Sequence, residues 1–290
     1  MEPWTIQLLA DLQAAGYRPL AWVRFFNESW RRARATASHH PTLVEAWQNL
    51  SLAVLAGSAI PLACAWQRHG PRTAGRMGGL LLAGLVLQQG DTYVHLGLNR
   101  RLHDGLLLPA FGPAIWLSYL RGSVAYWLLA TIGARLDSSR LAPGALVVGA
   151  LTDALDGPIA RHFGQATKLG AYADGEADLV LAVALTLAGV RHGTLPASAR
   201  WLPAARYALP IGVAFGVAFA GSRPPALEHT FAGRLCGVAQ TGLLGYALAP
   251  RRFRWLDGSR RLLPAITATL SAASGTAHML RILGAGRREG

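Results

Sequence analysis

Residues 152 to 178 read TDALDGPIARHFGQATKLGAYADGEAD, which sets four aspartates, Asp153, Asp156, Asp174 and Asp178, between two strongly apolar runs. An aspartate at the centre of a membrane helix costs about 2.5–3.5 kcal/mol on insertion scales, so each needs a partner, water or a cation. Asp153, Asp156, Gly157 and Ala160 fall at i, i+3, i+4 and i+7, one face of a helix; Gly170, Asp174 and Asp178 repeat the logic at i, i+4 and i+8. The stretch predicts the end of one helix, a short turn carrying Arg161 and Lys168, and the start of the next, with the carboxylates converging. Crowded carboxylates repel, and Arg161 and Lys168 are too few to hold them together. With no Cys or His at matching offsets, the donor set is all oxygen. That suits a hard cation such as Mg2+ or Mn2+ and leaves coordination positions for a substrate phosphate.

These residues resemble the signature of the CDP-alcohol phosphotransferase family, D-x2-D-G-x2-A-R-x8-G-x3-D-x3-D. Asp153, Asp156, Gly157, Ala160, Arg161, Gly170, Asp174 and Asp178 match its eight fixed positions with every spacing intact. The helical layout of residues 113 to 285 also resembles the family. The resemblance implies an integral-membrane enzyme of phospholipid biosynthesis. Such an enzyme moves a phosphatidyl or other phospho-alcohol group from a CDP-linked lipid, such as CDP-diacylglycerol, to a polar alcohol and releases CMP. It further implies that Asp153, Asp156 and Asp174 hold a pair of Mg2+ or Mn2+ ions, with Asp178 at the edge of the pair as ligand and general base. Gly157, Ala160, Arg161 and Gly170 would shape the nucleotide and diphosphate pocket. One position departs from many users of phosphorylated alcohols: Leu179 follows the last aspartate where they carry Lys or Arg. The acceptor therefore stays open, with Lys168 and Arg121 as candidates for holding an acceptor phosphate.

The chemistry fits these roles on its own terms. Divalent ions clamp a diphosphate and neutralise the leaving nucleotide. A carboxylate accepts the proton of an attacking hydroxyl, and an arginine grips phosphate oxygens bidentately. Gly157 and Ala160 put no bulk where a flat base or ribose must approach the backbone. Pro158 removes the N–H that the carbonyl of Ala154 would accept, so the helix is expected to kink or end just after Asp156.

Composition agrees with a membrane protein: 52% of the residues are hydrophobic, mean hydropathy is +0.28, and charges gather between apolar runs. The net charge of +13 invites a nucleic-acid reading. Its placement at the ends of apolar segments points instead to anionic lipid headgroups. Cys64 and Cys236 lie within apolar runs and read as packing residues, not a disulfide. Glu2, Asp11 and Arg18 interrupt the first twenty residues, which do not read as a secretory signal.

The expected fold is therefore all-α, a polytopic membrane helix bundle. A six-span catalytic domain at 106–290 follows an N-terminal extension at 1–105. In the extension, residues 19–34 interleave Trp22, Val23, Phe25, Phe26 and Trp30 with four arginines, which suits a helix lying in the headgroup layer or packing on the protein. Residues 43–66 read as a span, and 77–98 as a span or re-entrant piece. Asp91 and His95, at i and i+4 there, serve either a function or polar adhesion between helices. The core spans are expected near 113–134, 141–155, 170–190, 205–220, 230–249 and 262–283. Arg121 stands at the depth of the aspartates, facing a phosphate or snorkelling to the interface. The pairs Gly212/Gly216 and Gly233/Gly237 permit close helix approach within the chain or in a homodimer. The arginines are nearly balanced between the two sides. Substrate supply places the active site on the cytoplasmic side of the cell membrane. The competing reading of intramembrane aspartates is an ion- or proton-coupled transporter. Carboxylates at helix ends, with no visible repeat, favour the enzyme.

Overall fold

The computed structural model describes residues 3–195 and 231–248, together with Trp201, Gly212, Gly216 and short helical pieces within 264–276. These residues form an all-α fold. Its helices are α1 (Pro3–Ala14), α2 (Pro19–His39), α3 (Pro41–His69), α4 (Pro71–Val94), α5 (Pro113–Gly133), α6 (Leu141–His162), α7 (Lys168–Arg191) and α8 (Phe231–Leu248), with a 3-10 turn at Leu96–Leu98. The expected fourth core span, 205–220, apart from Gly212 and Gly216, and most of the sixth, 262–283, lie outside the described residues. The chain divides into two compact units, Met1–Phe25 with Thr186–Gly290, and Phe26–Leu185. The motif and the elements that frame it belong to the second unit. In the first, α1 buries Leu8 and Leu12, and α8 buries Cys236, Leu243 and Leu244.

Each of α1 to α5 opens on a proline, whose missing N–H is one of the donors a helix start leaves unsatisfied anyway. Gly70 alone joins α3 to α4. Its φ of +80° lies where a side chain is strained, its N–H donates to the carbonyl of Trp66 at 3.0 Å, and its carbonyl receives the N–H of Ala74 at 3.1 Å. In α2 the side chains of Arg31 and Arg32 hold the Glu28 carboxyl below its ordinary value, and Phe26 and Trp30 remain exposed.

Apolar side chains face outward as well as filling the core, and several polar ones are buried between helices. Leu52, Leu55 and Ile60 of α3, Leu82, Val86 and Leu87 of α4, and Val147, Leu151 and Leu155 of α6 face outward. Ser58, Gln88, Gln89, Thr92, Ser118, Arg121 and Ser123 are buried between helices. Exposed apolar faces of this extent need hydrocarbon around them. Among the described residues α3 is the one helix both long and apolar enough to cross a bilayer, and most of its apolar stretch is exposed.

Within this unit α3 packs on α4, and both pack on α5, which also packs on α6. Met77, Leu81 and Leu85 of α4 meet Ala130 of α5 in one cluster. Leu43 and Leu50 of α3 meet Ile115 and Tyr119 of α5 and Leu169 and Ala173 of α7 in another. Polar links fix the register: Trp47 Nε1 donates to the Gln89 carbonyl at 3.0 Å, Ser51 Oγ to Gln89 Oε1 at 2.8 Å, and Trp127 Nε1 to Ser58 Oγ at 3.1 Å. Thr92 and Tyr119 bond through their hydroxyls. Such links are worth about 0.6–2 kcal/mol each in a bilayer. Gly84 lets α4 approach α5 so closely that a Cβ there would strike the ring of Tyr126. Gly84→Val is expected to cost about 1–3 kcal/mol by overpacking. The measurement is thermal unfolding of the full chain in detergent, and an unchanged Tm would refute this seating of α4 on α5.

Candidate active site

The two halves of the aspartate motif lie on α6 and α7. Pro158 does not end α6: the helix runs one further turn to His162, so the expected boundary near residue 155 is too early. One proline so near a helix end removes a single internal hydrogen bond, and the chain tolerates that loss. The extra turn brings Arg161 back over Gly157, where a Cβ would stand 3.3 Å from its guanidinium. Thr167 caps α7, its Oγ1 accepting the N–H of Gly170 at 3.0 Å. A Cβ on Gly170 would stand 3.2 Å from that oxygen and 3.5 Å from Ile115 of α5, so the glycine makes room for the cap. Gly149 of α6 performs a similar service where Leu181 of α7 presses in.

The loop at 99–112 completes the frame. Asn99, fully buried, donates through Nδ2 to the carbonyls of Leu108 and Ala110 at 2.9 and 3.1 Å. Bridges pair Arg100 with Leu107 and Arg101 with Thr167. The carbonyl of Arg100 accepts the N–H of Lys168, and that of Ala166 accepts the N–H of Leu102, at 3.0 and 2.9 Å. A segment that precedes the core thus holds the turn inside the motif.

Carboxylate oxygens of Asp153, Asp156 and Asp174 lie within 4.8 Å of one another, with Asp153 exposed and the other two half-buried. Asp178 joins them through Arg121. This arginine, fully buried on α5, pairs with Asp156 and Asp178, reaches Asp174 Oδ1 at 2.8 Å and Asp153 Oδ1 at 3.7 Å, and donates through Nε to Thr152 Oγ1 at 3.0 Å. Four carboxylates converging on one monovalent guanidinium leave an excess of negative charge beside hydrocarbon, and the set offers oxygen alone. Both properties fit a divalent metal site.

The structure therefore brings together Asp153, Asp156, Asp174, Asp178 and Arg121, and separately Gly157 with Arg161. Ala160 is half-buried on α6, and Lys168 is exposed at the first position of α7. Arg121 directs its donors to carboxylates because four anions on two facing helices present the nearest counter-charge at its depth. Sequence reasoning overlooked Thr152 and Thr167. The signal for Thr152 was available, since it stands at i−4 from Asp156 on the same face; that for Thr167 was its place three residues before Gly170.

An acidic, all-oxygen centre shared by facing helices, in a fold with exposed apolar faces, defines a candidate divalent-metal centre in a membrane-associated protein. Its family follows from comparison with known proteins: a model for CDP-alcohol phosphatidyltransferases matches residues 113–275, more than half of the chain, and the chain belongs to that family. No curated protein and no solved structure matches it. The protein is accordingly a membrane-associated enzyme of phospholipid biosynthesis, a CDP-alcohol phosphotransferase with a carboxylate site for a divalent metal.

Proposed function

We propose that the enzyme transfers a phosphatidyl group from a CDP-diacylglycerol-type donor to a small polar alcohol on the cytoplasmic side of the cell membrane. It would do so from a six-span core preceded by an extension over residues 1–105. The convergence of Asp153, Asp156 and Asp174 carries this reading. Divalent ions, two by our reading, would be held by these three residues and would neutralise the diphosphate and the departing CMP. Arg161, folded over Gly157 and exposed at the end of α6, would grip a diphosphate oxygen pair. Gly157, Ala160 and Gly170 would shape the nucleotide pocket, Gly157 by admitting Arg161 and Gly170 by admitting the Thr167 cap.

Asp178 is the proposed base. The acceptor oxygen forms a bond to the phosphorus that carries the lipid, the bond from that phosphorus to the bridging oxygen breaks, and CMP leaves with the electron pair. The acceptor's proton passes to Asp178. Arg121 keeps this carboxylate at the site through direct pairing. Lys168, exposed at the start of α7, is the remaining candidate for an acceptor phosphate.

The test is CMP release by the purified full chain with CDP-diacylglycerol across a panel of alcohols, in Mg2+, Mn2+ or EDTA. CMP is expected with at least one acceptor and is expected to vanish in EDTA. CMP formation indifferent to chelation would remove the metal from the mechanism. No CMP with any acceptor would count against the donor.

A further inference from the structure

Beside the turn that joins α3 to α4, an apolar groove of about 450 Å³ opens between the two helices. Small residues make the room: Ala63 of α3 and Ala74, Gly75 and Gly78 of α4 line it, and a Cβ on Gly75 would meet no atom within 4 Å. Leu62 and Trp66 supply the larger apolar surfaces and Gln67 the polar one, and Trp66 is 60% exposed. The volume lies in the range of about 300–1,000 Å³ that small-molecule sites occupy. The groove is remote from the aspartate centre. Ala65 and Ala74 pack in one cluster with Ala130 and Ala134 near the end of α5. Arg121 stands nine to thirteen residues earlier on that helix, about 14–20 Å away at 1.5 Å per residue.

The surroundings of the groove are basic. Its closing turn carries Arg68, His69, Arg72 and Arg76, all exposed, and the sequence holds no carboxylate between Glu45 and Asp91. The α5–α6 turn, whose Leu136 packs on the same cluster, adds Arg135 and Arg140; its Asp137 accepts from the N–H and Oγ of Ser139 at 2.9 and 2.8 Å. Among the described residues Arg68, Arg72 and Arg76 form no ion pair. Arg72 and Arg76 stand at i and i+4, where like charges destabilise a helix. Around the helix axes, His69 on α3 and Arg72 on α4 lie about 90–110° from the middle of the groove face, at its rim. Guanidinium groups keep to water while their stems follow apolar surface, and an indole settles at headgroup level, so Trp66 and these arginines mark the membrane surface. A ligand with hydrocarbon at one end and negative charge at the other meets both features. Its chain gains dispersion contacts along the groove walls, and its phosphate meets guanidinium donors.

We propose that this groove binds an anionic phospholipid of the leaflet opposite the aspartate centre, with an acyl chain between α3 and α4 and the phosphate at the basic rim. The test is thermal unfolding of the full chain in an uncharged detergent with EDTA, titrated with dioleoylphosphatidylglycerol. Dioleoylphosphatidylcholine, with the same chains and no net charge, is the control. A saturable rise in Tm of a few degrees is expected with phosphatidylglycerol, and a clearly smaller one with phosphatidylcholine. Gly75→Leu places a side chain in the groove where there is room for it and removes a glycine from a helix, so it should fold at least as well as the parent. Arg72→Gln combined with Arg76→Gln alters exposed positions alone. Both variants are expected to lose the preference for phosphatidylglycerol, whereas Arg161→Gln, at the proposed diphosphate pocket, should keep it. Equal responses to the two lipids, no saturable response, a preference that persists in either groove variant, or one that disappears in Arg161→Gln would overturn the proposal. CMP release is not the readout, so this site and the transferase assignment fail separately.

Discussion

Asp178→Asn is expected to lower the rate of CMP release by about 10²–10⁴-fold, the usual worth of a positioned general base. Donor affinity should stay near that of the parent, because Asp178 lies outside the trio of mutually close carboxylates. The amide keeps the shape and still meets Arg121, so the fold should survive. Asp174→Asn supplies the contrast: it removes a member of the trio, and donor binding and turnover should fall together. The measurement is paired: single-turnover CMP release, and equilibrium binding of the CDP-linked donor in the presence of metal. If Asp178→Asn turns over at the parental rate, the base lies elsewhere. If it abolishes donor binding, Asp178 belongs with the metal ligands.

The second large effect concerns Arg121. Removing one partner from a buried ion pair typically costs about 3–5 kcal/mol, because the other charges remain without compensation. Arg121→Leu is therefore expected to destabilise the protein by about 3 kcal/mol, the lower end of that range, since Asp153 is exposed and its charge is screened. The loss should be greatest in EDTA and should shrink as Mg2+ is added, because a divalent ion substitutes for the missing positive charge. Tm measured across a Mg2+ titration checks both statements. A variant as stable as the parent in EDTA would mean that the four-way pairing contributes nothing to the fold. Equal Mg2+ sensitivity in parent and variant would mean that guanidinium and metal do not share these carboxylates.

The aspartates were legible in the sequence because helical spacing alone puts them on facing surfaces, and no tertiary information is needed to see that they must meet a cation. The starts of α3 and α5 were legible to within two residues, from the apolar onset at Leu43 and from Pro113, whereas α4 begins at Pro71, six residues before the expected 77, because its first turns carry Arg72 and Arg76 and hide the apolar onset. The end of α6 was not. Pro158 looked like a stop, but whether a proline ends a helix or merely forfeits one bond depends on what the following turn packs against. For Arg121, its depth was readable and its partner was not: depth follows from position along one helix, whereas the partner depends on the rotation of α5 against α6 and α7. The contacts of α4 with α5 escaped for the same reason. Gly84, Gln88 and Thr92 do fall at i, i+4 and i+8, a small and polar stripe that marks a face turned to protein, but the stripe does not say which helix it meets.

The pairing of residues 100–102 with 166–168 bears on how such enzymes can be recombined. The amide of Lys168 and the carbonyl of Ala166 find their partners in peptide that precedes the matched region. A chain trimmed to begin at residue 113 would leave those groups to water at the mouth of the site, and α7 would lose the anchor at its first turn. Grafting experiments between relatives should therefore carry residues 99–112 and 163–170 as one inheritance, since neither strand of that small clasp has a mate without the other.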